Sequence, residues 1–135
     1  MPALIYELEL PWETPSNNKI KGMNHFAYKR LRENWRMAVM AALGGSRFHD
    51  LPPLSPVAIE IDRYSKGPLL DWDNAYGGLK PLLDCLVMKS RQNPDGLGLI
   101  VDDSPRHVPE PPKLRQVRIR SGQNRTILRI YADLP

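Results

Sequence analysis

The chain has a single cysteine, Cys85, so it can form neither an intramolecular disulfide nor a thiolate zinc site. Its apolar neighbours Leu83, Leu86 and Val87 mark it as a buried structural thiol. No apolar run is long enough to cross a bilayer, and the N-terminus lacks a basic segment followed by an apolar one. A cytoplasmic protein with no membrane partner is expected. There is no G-x-x-x-x-G-K loop, which excludes a nucleotide-driven motor and leaves no reason to expect a nucleotide cofactor. His25 and His49 have no ligand spacing with each other or with Cys85. Acid is absent from Lys113 to Arg129, and Glu33 alone interrupts the basic residues between Lys19 and Arg47. No internal repeat is present.

At 135 residues the chain suits one domain, 1–135, with enough length for a modest core. The formal net charge is only +4, but it is unevenly placed: basic ends flank an acidic middle. That distribution suits a polyanion held at its phosphates, and it equally suits a solvated basic surface. The candidate contacts are Lys19, Lys21, the stripe Lys29, Arg32 and Arg36, and the pair Arg118 and Arg120.

Hydrophobic periodicity outlines the elements. Leu4, Tyr6, Leu8 and Leu10 alternate with Ile5, Glu7 and Glu9, which predicts a half-buried strand ended by Pro11. The stretch from Glu13 to Asn18 has loop chemistry. Asn24 caps a helix expected to reach about Leu43, where Gly44-Gly45 stops it, with Ala27, Leu31, Trp35, Ala38 and Ala42 on its core face. Val57, Ile59 and Ile61 alternate as a second strand. From Asp73 to Val87 the spacing is helical, but Pro81 either kinks this helix at Gly77-Gly78 or starts a second segment. Leu99-Ile100-Val101 reads as a short strand, followed by a proline-rich exposed stretch. Leu114–Arg120 and Arg125–Ala132 read as two strands of a hairpin through Ser121-Gly122-Gln123-Asn124. The expected class is α/β (α+β): a small mixed sheet with two main helices packed on it.

Two acidic clusters carry the candidate chemistry, Asp71-Trp72-Asp73-Asn74 and Asp102-Asp103. On extended chain Asp71 and Asp73 would share one face, and a carboxylate arriving after Val101 could join them. Converging carboxylates repel unless a proton or cation intervenes, and oxygen ligation suits Mg2+ or Mn2+. The alternative is that Asp73-Asn74 caps a helix and Asp102-Asp103 is a solvated turn. Trp72 would face away from the acids and pack, Trp35 would be core, and His107 would be a surface histidine or a proton shuttle.

Leu10-Pro11-Trp12-Glu13-Thr14-Pro15-Ser16-Asn17-Asn18 resembles the N-terminal L-P-W-x-P-S-x-N motif of RusA-type Holliday-junction resolvases, with one extra residue before the proline. Asp71-Trp72-Asp73-Asn74 is similar to their D-x-D-N, Lys80 and Asp84 to a following lysine and aspartate, and Asp102-Asp103 to their D-D. Each motif is weak alone; four in order, from Leu10 to Asp103, are specific. The resemblance implies a small α/β domain that forms a homodimer and cuts branched DNA with Mg2+ (Mn2+ as a substitute), in a phage- or prophage-borne recombination role. By position, Asp71, Asp73 and Asp103 would bind the metal, Lys80 would be the catalytic lysine and Asp102 would support Asp103 from the opposite strand face. A RusA-like protein that holds branched DNA with little or no cleavage is the alternative. The lysine of the family follows the first aspartate more closely, and Gly77-Gly78-Leu79 looks like an insertion that would displace Lys80 by ~5 Å along a continuous helix.

Overall fold

The computed structural model describes residues 2–44 and 51–133. The elements are β1 (Ala3–Leu10), α1 (Asn17–Lys21), α2 (His25–Ala42), β2 (Val57–Ser65), α3 (Trp72–Gly77), α4 (Lys80–Leu86), β3 (Lys113–Arg118) and β4 (Arg125–Ala132). They build one mixed four-stranded sheet in the order β1-β4-β2-β3. β4 runs antiparallel to both β1 and β2, whereas β3 runs parallel to β2. Helices α2 and α4 pack on each other over the sheet, so the architecture is a small α+β domain. Among the described residues no helix is long and apolar enough to cross a membrane.

Alternation places the core. Leu8 and Leu10 of β1, Ile59 and Ile61 of β2, and Leu128 and Ile130 of β4 are buried on the helix side. They meet Trp35 and Val39 of α2 and Leu82, Cys85 and Leu86 of α4. The opposite face carries Glu7, Glu60, Asp62, Arg115 and Arg129. Asp62 accepts from Arg115 at 3.1 and 3.2 Å and from Arg129 at 2.8 Å. Burial alone would raise the pKa of Asp62; those guanidinium bonds outweigh it and hold the carboxyl below its usual range.

Several boundaries differ from expectation for local reasons. A register irregularity between Leu4 and Tyr6 breaks the alternation of β1, and Leu4 is exposed. Ser16 caps a short helix, α1, where only loop was expected, its hydroxyl accepting from Lys19 N at 3.1 Å. α2 begins as predicted, with Asn24 accepting from Ala27 N at 2.8 Å, but Ala42 is exposed and Val39 is core instead. Gly45, Arg47 and His49 lie outside the described residues.

The largest topological correction concerns the C-terminal strands. β3 and β4 do not form a hairpin with each other; they flank β2. The chain between them is tied across the end of β2: Ile119 N donates to Ser65 O, Lys66 N to Asn124 Oδ1, and Gln123 Nε2 to Pro11 O. Likewise, Leu99-Ile100-Val101 is not a strand of the sheet. Ile100 forms an isolated parallel bridge with Leu54.

Candidate active site

The predicted continuous helix from Asp73 to Val87 is two helices. α3 ends at Gly77 and α4 begins at Lys80, with Pro81 in its first turn, where a missing N–H costs nothing. The break is built by close packing. A Cβ on Gly78 would run into the carbonyl oxygen of Pro15, and one on Gly77 would stand 2.5 Å from Asn17 Cγ. The glycine pair therefore lets the Pro15-Ser16-Asn17-Asn18 segment lie directly on α3.

The two segments are also hydrogen-bonded. Asn18 N donates to Asn74 Oδ1 at 3.1 Å, and Asn74 Nδ2 donates to Asp71 Oδ1 at 2.6 Å. Asp71 is the N-cap residue of α3, and its carboxylate takes the Asn74 amide instead of a backbone cap bond. Asp73 lies in the first helical turn. The extended arrangement, in which Asp71 and Asp73 share a strand face, is thus replaced by a helix start. Both carboxylates are exposed there, at the end of a helix that favours negative charge. Trp72 is exposed rather than packed, 6.1 Å from the Tyr76 ring.

The second cluster sits by α4. Lys80 Nζ lies 3.4 Å from Asp84 Oδ1, with 68% of its side chain exposed. Asp102 and Asp103 follow the Ile100 bridge, and no ladder extends to them to impose strand alternation. Partial burial and then the Asp102 charge raise the pKa of Asp103, with Asp84 adding to the effect. Asp102 is lowered, chiefly by a backbone bond from Asp103. Asp84 is thus ion-paired with Lys80, and its charge is felt by Asp103. His107 is half-buried and bonded through Nδ1 to Ser55 Oγ at 2.7 Å.

Among the described residues no group of three or more His, Cys, Asp or Glu side chains is placed to hold a metal ion. Asp71 and Asp73 lie at the start of α3, and Asp102 and Asp103 follow the Ile100 bridge. In kind they suit Mg2+, a hard cation that takes one or two carboxylates and completes its shell with water and phosphate oxygen.

The basic positions differ from one another. Lys19 and Lys21 lie exposed in the last turn of α1, and Lys29 is exposed on α2. Arg32 is engaged within the fold, 3.5 Å from Asp95 and with its guanidinium 5.4 Å from the centre of the Tyr28 ring. Arg36 lines a separate surface cleft with Met40 and Lys89. Arg118 and Arg120 line another with Lys66, a cation that the linear sequence gave no reason to join to them. Arg63 is buried, its Nε donating to Thr14 O at 2.8 Å and its guanidinium 3.1 Å from Glu13.

No protein-family model matches the chain, and comparison with curated proteins finds no match.

Proposed function

We propose that the protein is an Mg2+-dependent endonuclease that cleaves phosphodiesters in branched DNA, acting as a homodimer on Holliday-type junctions. The observation that carries this reading is the joining of two sequence-distant motifs. The Pro15–Asn18 segment and the Asp71–Asn74 segment share the Asn18–Asn74–Asp71 hydrogen bonds and the close approach at Gly77 and Gly78. An asparagine that fixes both a backbone N–H and a carboxylate is a positioning device, and it orients Asp71 at an exposed surface.

In this reading Asp71, Asp73 and Asp103 would hold the metal, with Mn2+ as a substitute, although in the free chain they are not grouped to do so. When bound, Mg2+ supplies an activated water and neutralises charge on the scissile phosphate. The chain's own groups do the rest. Asn74 sets the Asp71 carboxylate, Asp102 adjoins Asp103 and its charge favours a proton there, and Lys80 offers an exposed ammonium to the phosphate as negative charge develops. Lys19, Lys21, Lys29 and the Lys66/Arg118/Arg120 cleft hold DNA arms. Arg32, paired with Asp95, contributes less than its place in the stripe implies.

That no three acids among the described residues are grouped to hold a metal favours one second reading, a protein that binds branched DNA with weak or no cleavage. One experiment distinguishes the two: incubation of a synthetic four-way junction beside linear duplex, with and without Mg2+. Metal-dependent cuts in the junction alone support the nuclease. Retention of the junction without cuts at any Mg2+ or Mn2+ concentration supports the binder, and equal treatment of both DNAs sinks both.

A further inference from the structure

Three surface clefts, of about 440, 350 and 630 Å³, adjoin in line, because each shares lining residues with the next. The first lies between the loop after β1, α2 and the end of β2, and Lys19 and Leu70 line it. Trp12 and Glu13 line both it and the second, which continues over Gly122 and Gln123. Lys66 belongs to the second and the third, where Arg118 and Arg120 complete a basic end. Lys19, Lys66, Arg118 and Arg120 are exposed, and none forms an ion pair with another described residue. The one acid on these walls among the described residues is Glu13, already held by Arg63 at 3.1 Å and Asn124 at 3.3 Å.

Between the two basic ends stands Trp12, 45% exposed. Its ring rests edge to face on the buried Trp35, with centres 5.7 Å apart. Its backbone is tied to the far side of the sheet: Thr126 Oγ1 donates to Trp12 O at 2.7 Å, and Gln123 Nε2 to Pro11 O at 3.2 Å. The indole is therefore a fixed aromatic shelf beside a line of unpaired cations.

We propose that this track binds single-stranded DNA, with backbone phosphates on the cations and a base stacked on Trp12. A basic groove with an aromatic shelf is the combination that holds single strands with little regard to sequence. A duplex can set its phosphates on the same cations, but its bases stay stacked on one another and leave the indole unused. Stacking asks no hydrogen bond of the cleft walls, and each cleft exceeds the roughly 300 Å³ at which ligand sites begin. Leu70 directly precedes Asp71, so a strand freed at a branch point and seated here would lead toward the candidate acids. The choice of DNA rests on the nuclease reading; the single-strand track itself does not.

The test measures binding of the full chain to a labelled oligothymidylate and to a duplex of equal length across a salt series. The logarithmic salt slope for the single strand should be about −3, since each of the four cations displaces roughly 0.7 of a counterion. Replacing Lys66, Arg118 and Arg120 together by Gln should reduce it to about −1. Trp12→Ala should weaken the single strand by about tenfold at an unchanged slope, and leave duplex affinity at the wild-type value. Without any variant, an oligothymidylate carrying 5-iododeoxyuridine should crosslink to Trp12 of the wild-type protein on irradiation. Absence of single-strand binding, wild-type single-strand affinity in Trp12→Ala, or crosslinks at Trp72 and not at Trp12 overturns the proposal. If Trp12→Ala weakens both DNAs alike, the crosslink decides, and its absence at Trp12 overturns the proposal. Tighter binding of an oligouridylate of the same length overturns the choice of DNA. Failure of the nuclease reading looks different: no Mg2+-dependent junction cleavage, with single-strand binding and the Trp12 crosslink intact.

Discussion

Gly78→Ala tests the packing on which the candidate site is built, and Gly22→Ala is its control. Both glycines are helix C-caps in the right-handed region, at φ −72° and ψ −10° for Gly78 and φ −80° and ψ −5° for Gly22. Alanine adopts that conformation without strain, so each substitution gains up to about 1 kcal/mol from a less flexible unfolded chain. Only their surroundings differ. A Cβ at Gly22 meets nothing closer than 3.7 Å, an ordinary contact. At Gly78 it collides with the Pro15 carbonyl oxygen and stands 2.8 Å from its carbon, and both are backbone atoms that no side-chain rotation can move. Relief requires the 15–18 segment and α3 to separate by more than an ångström, an overpacking cost of about 1–3 kcal/mol or more. Urea denaturation should therefore place Gly22→Ala at or slightly above wild type and Gly78→Ala below it, about 1–3 kcal/mol or more apart, since the shared gain cancels. The same separation stretches the Asn18–Asn74 bond and loosens Asp71, so junction cleavage should fall more than stability does at temperatures where the variant is folded. Equal stability of the two variants would refute the close approach and, with it, the joining of the two motifs.

Asp71→Asn, Asp73→Asn or Asp103→Asn should each abolish junction cleavage while keeping or tightening DNA retention, because each removes a carboxylate that repels phosphate; normal cutting by any of them removes that residue from the site. Lys80→Ala should slow turnover about a hundredfold with little change in affinity, the loss expected for one charge used in the transition state; a near-normal rate passes the role to another cation. Neutralising Lys66, Arg118 and Arg120 together should flatten the logarithmic salt dependence of binding, whereas Arg32→Gln should alter it less, since Arg32 is already paired with Asp95. The folded-state pKa of Asp62 is depressed, so its contribution to stability is full above the unfolded value of about 4 and is lost as pH falls through the lower folded value; in Asp62→Asn that part of the acid dependence of the urea midpoint should disappear.

The elements with strong periodicity were legible in the sequence. The cap at Asn24 and the inward residues Val57, Ile59 and Ile61 of β2 follow from local pattern alone, because one stripe or one face must be buried wherever the element packs. What could not be read was pairing. Leu114–Arg120 followed by Ser-Gly-Gln-Asn is a fair hairpin pattern, and nothing local says that β2, some fifty residues earlier, inserts between the two strands. The acidic clusters were legible as chemistry and illegible as geometry. Asp-Trp-Asp-Asn fits an extended segment or a helix start equally well, and the choice is made by Asn18, far away in sequence, which needs Asn74 as an acceptor.

The same long-range contact explains Gly77-Gly78-Leu79. Taken as an inserted turn of continuous helix, these residues would carry Lys80 along the axis and nearly preserve its face. They are instead a break, so the direction of Lys80 is set by α4 and not by its phase from Asp73. At that place a lysine is a poor local choice. It sits at the N-terminal end of α4, where a helix favours negative charge, and it precedes Asp84 in the less favourable order for a pair four residues apart. A pair this exposed is worth at most about 0.5 kcal/mol, too little to account for the residue. A local rule broken without structural gain is the pattern expected at a functional position, where the gain arrives with the ligand. Under the nuclease reading that ligand is a phosphate: it offers the ammonium a stronger partner than Asp84, and Asp84, once released, adds an unpaired charge that Asp103 feels. Lys80 and Asp84 would then act as one exchangeable pair, and Asp84→Asn should lower the Mg2+ affinity of the cleavage reaction while leaving Lys80 free to bind DNA. Unchanged Mg2+ dependence in that variant would separate Asp84 from the site and leave the Lys80 position without a reason.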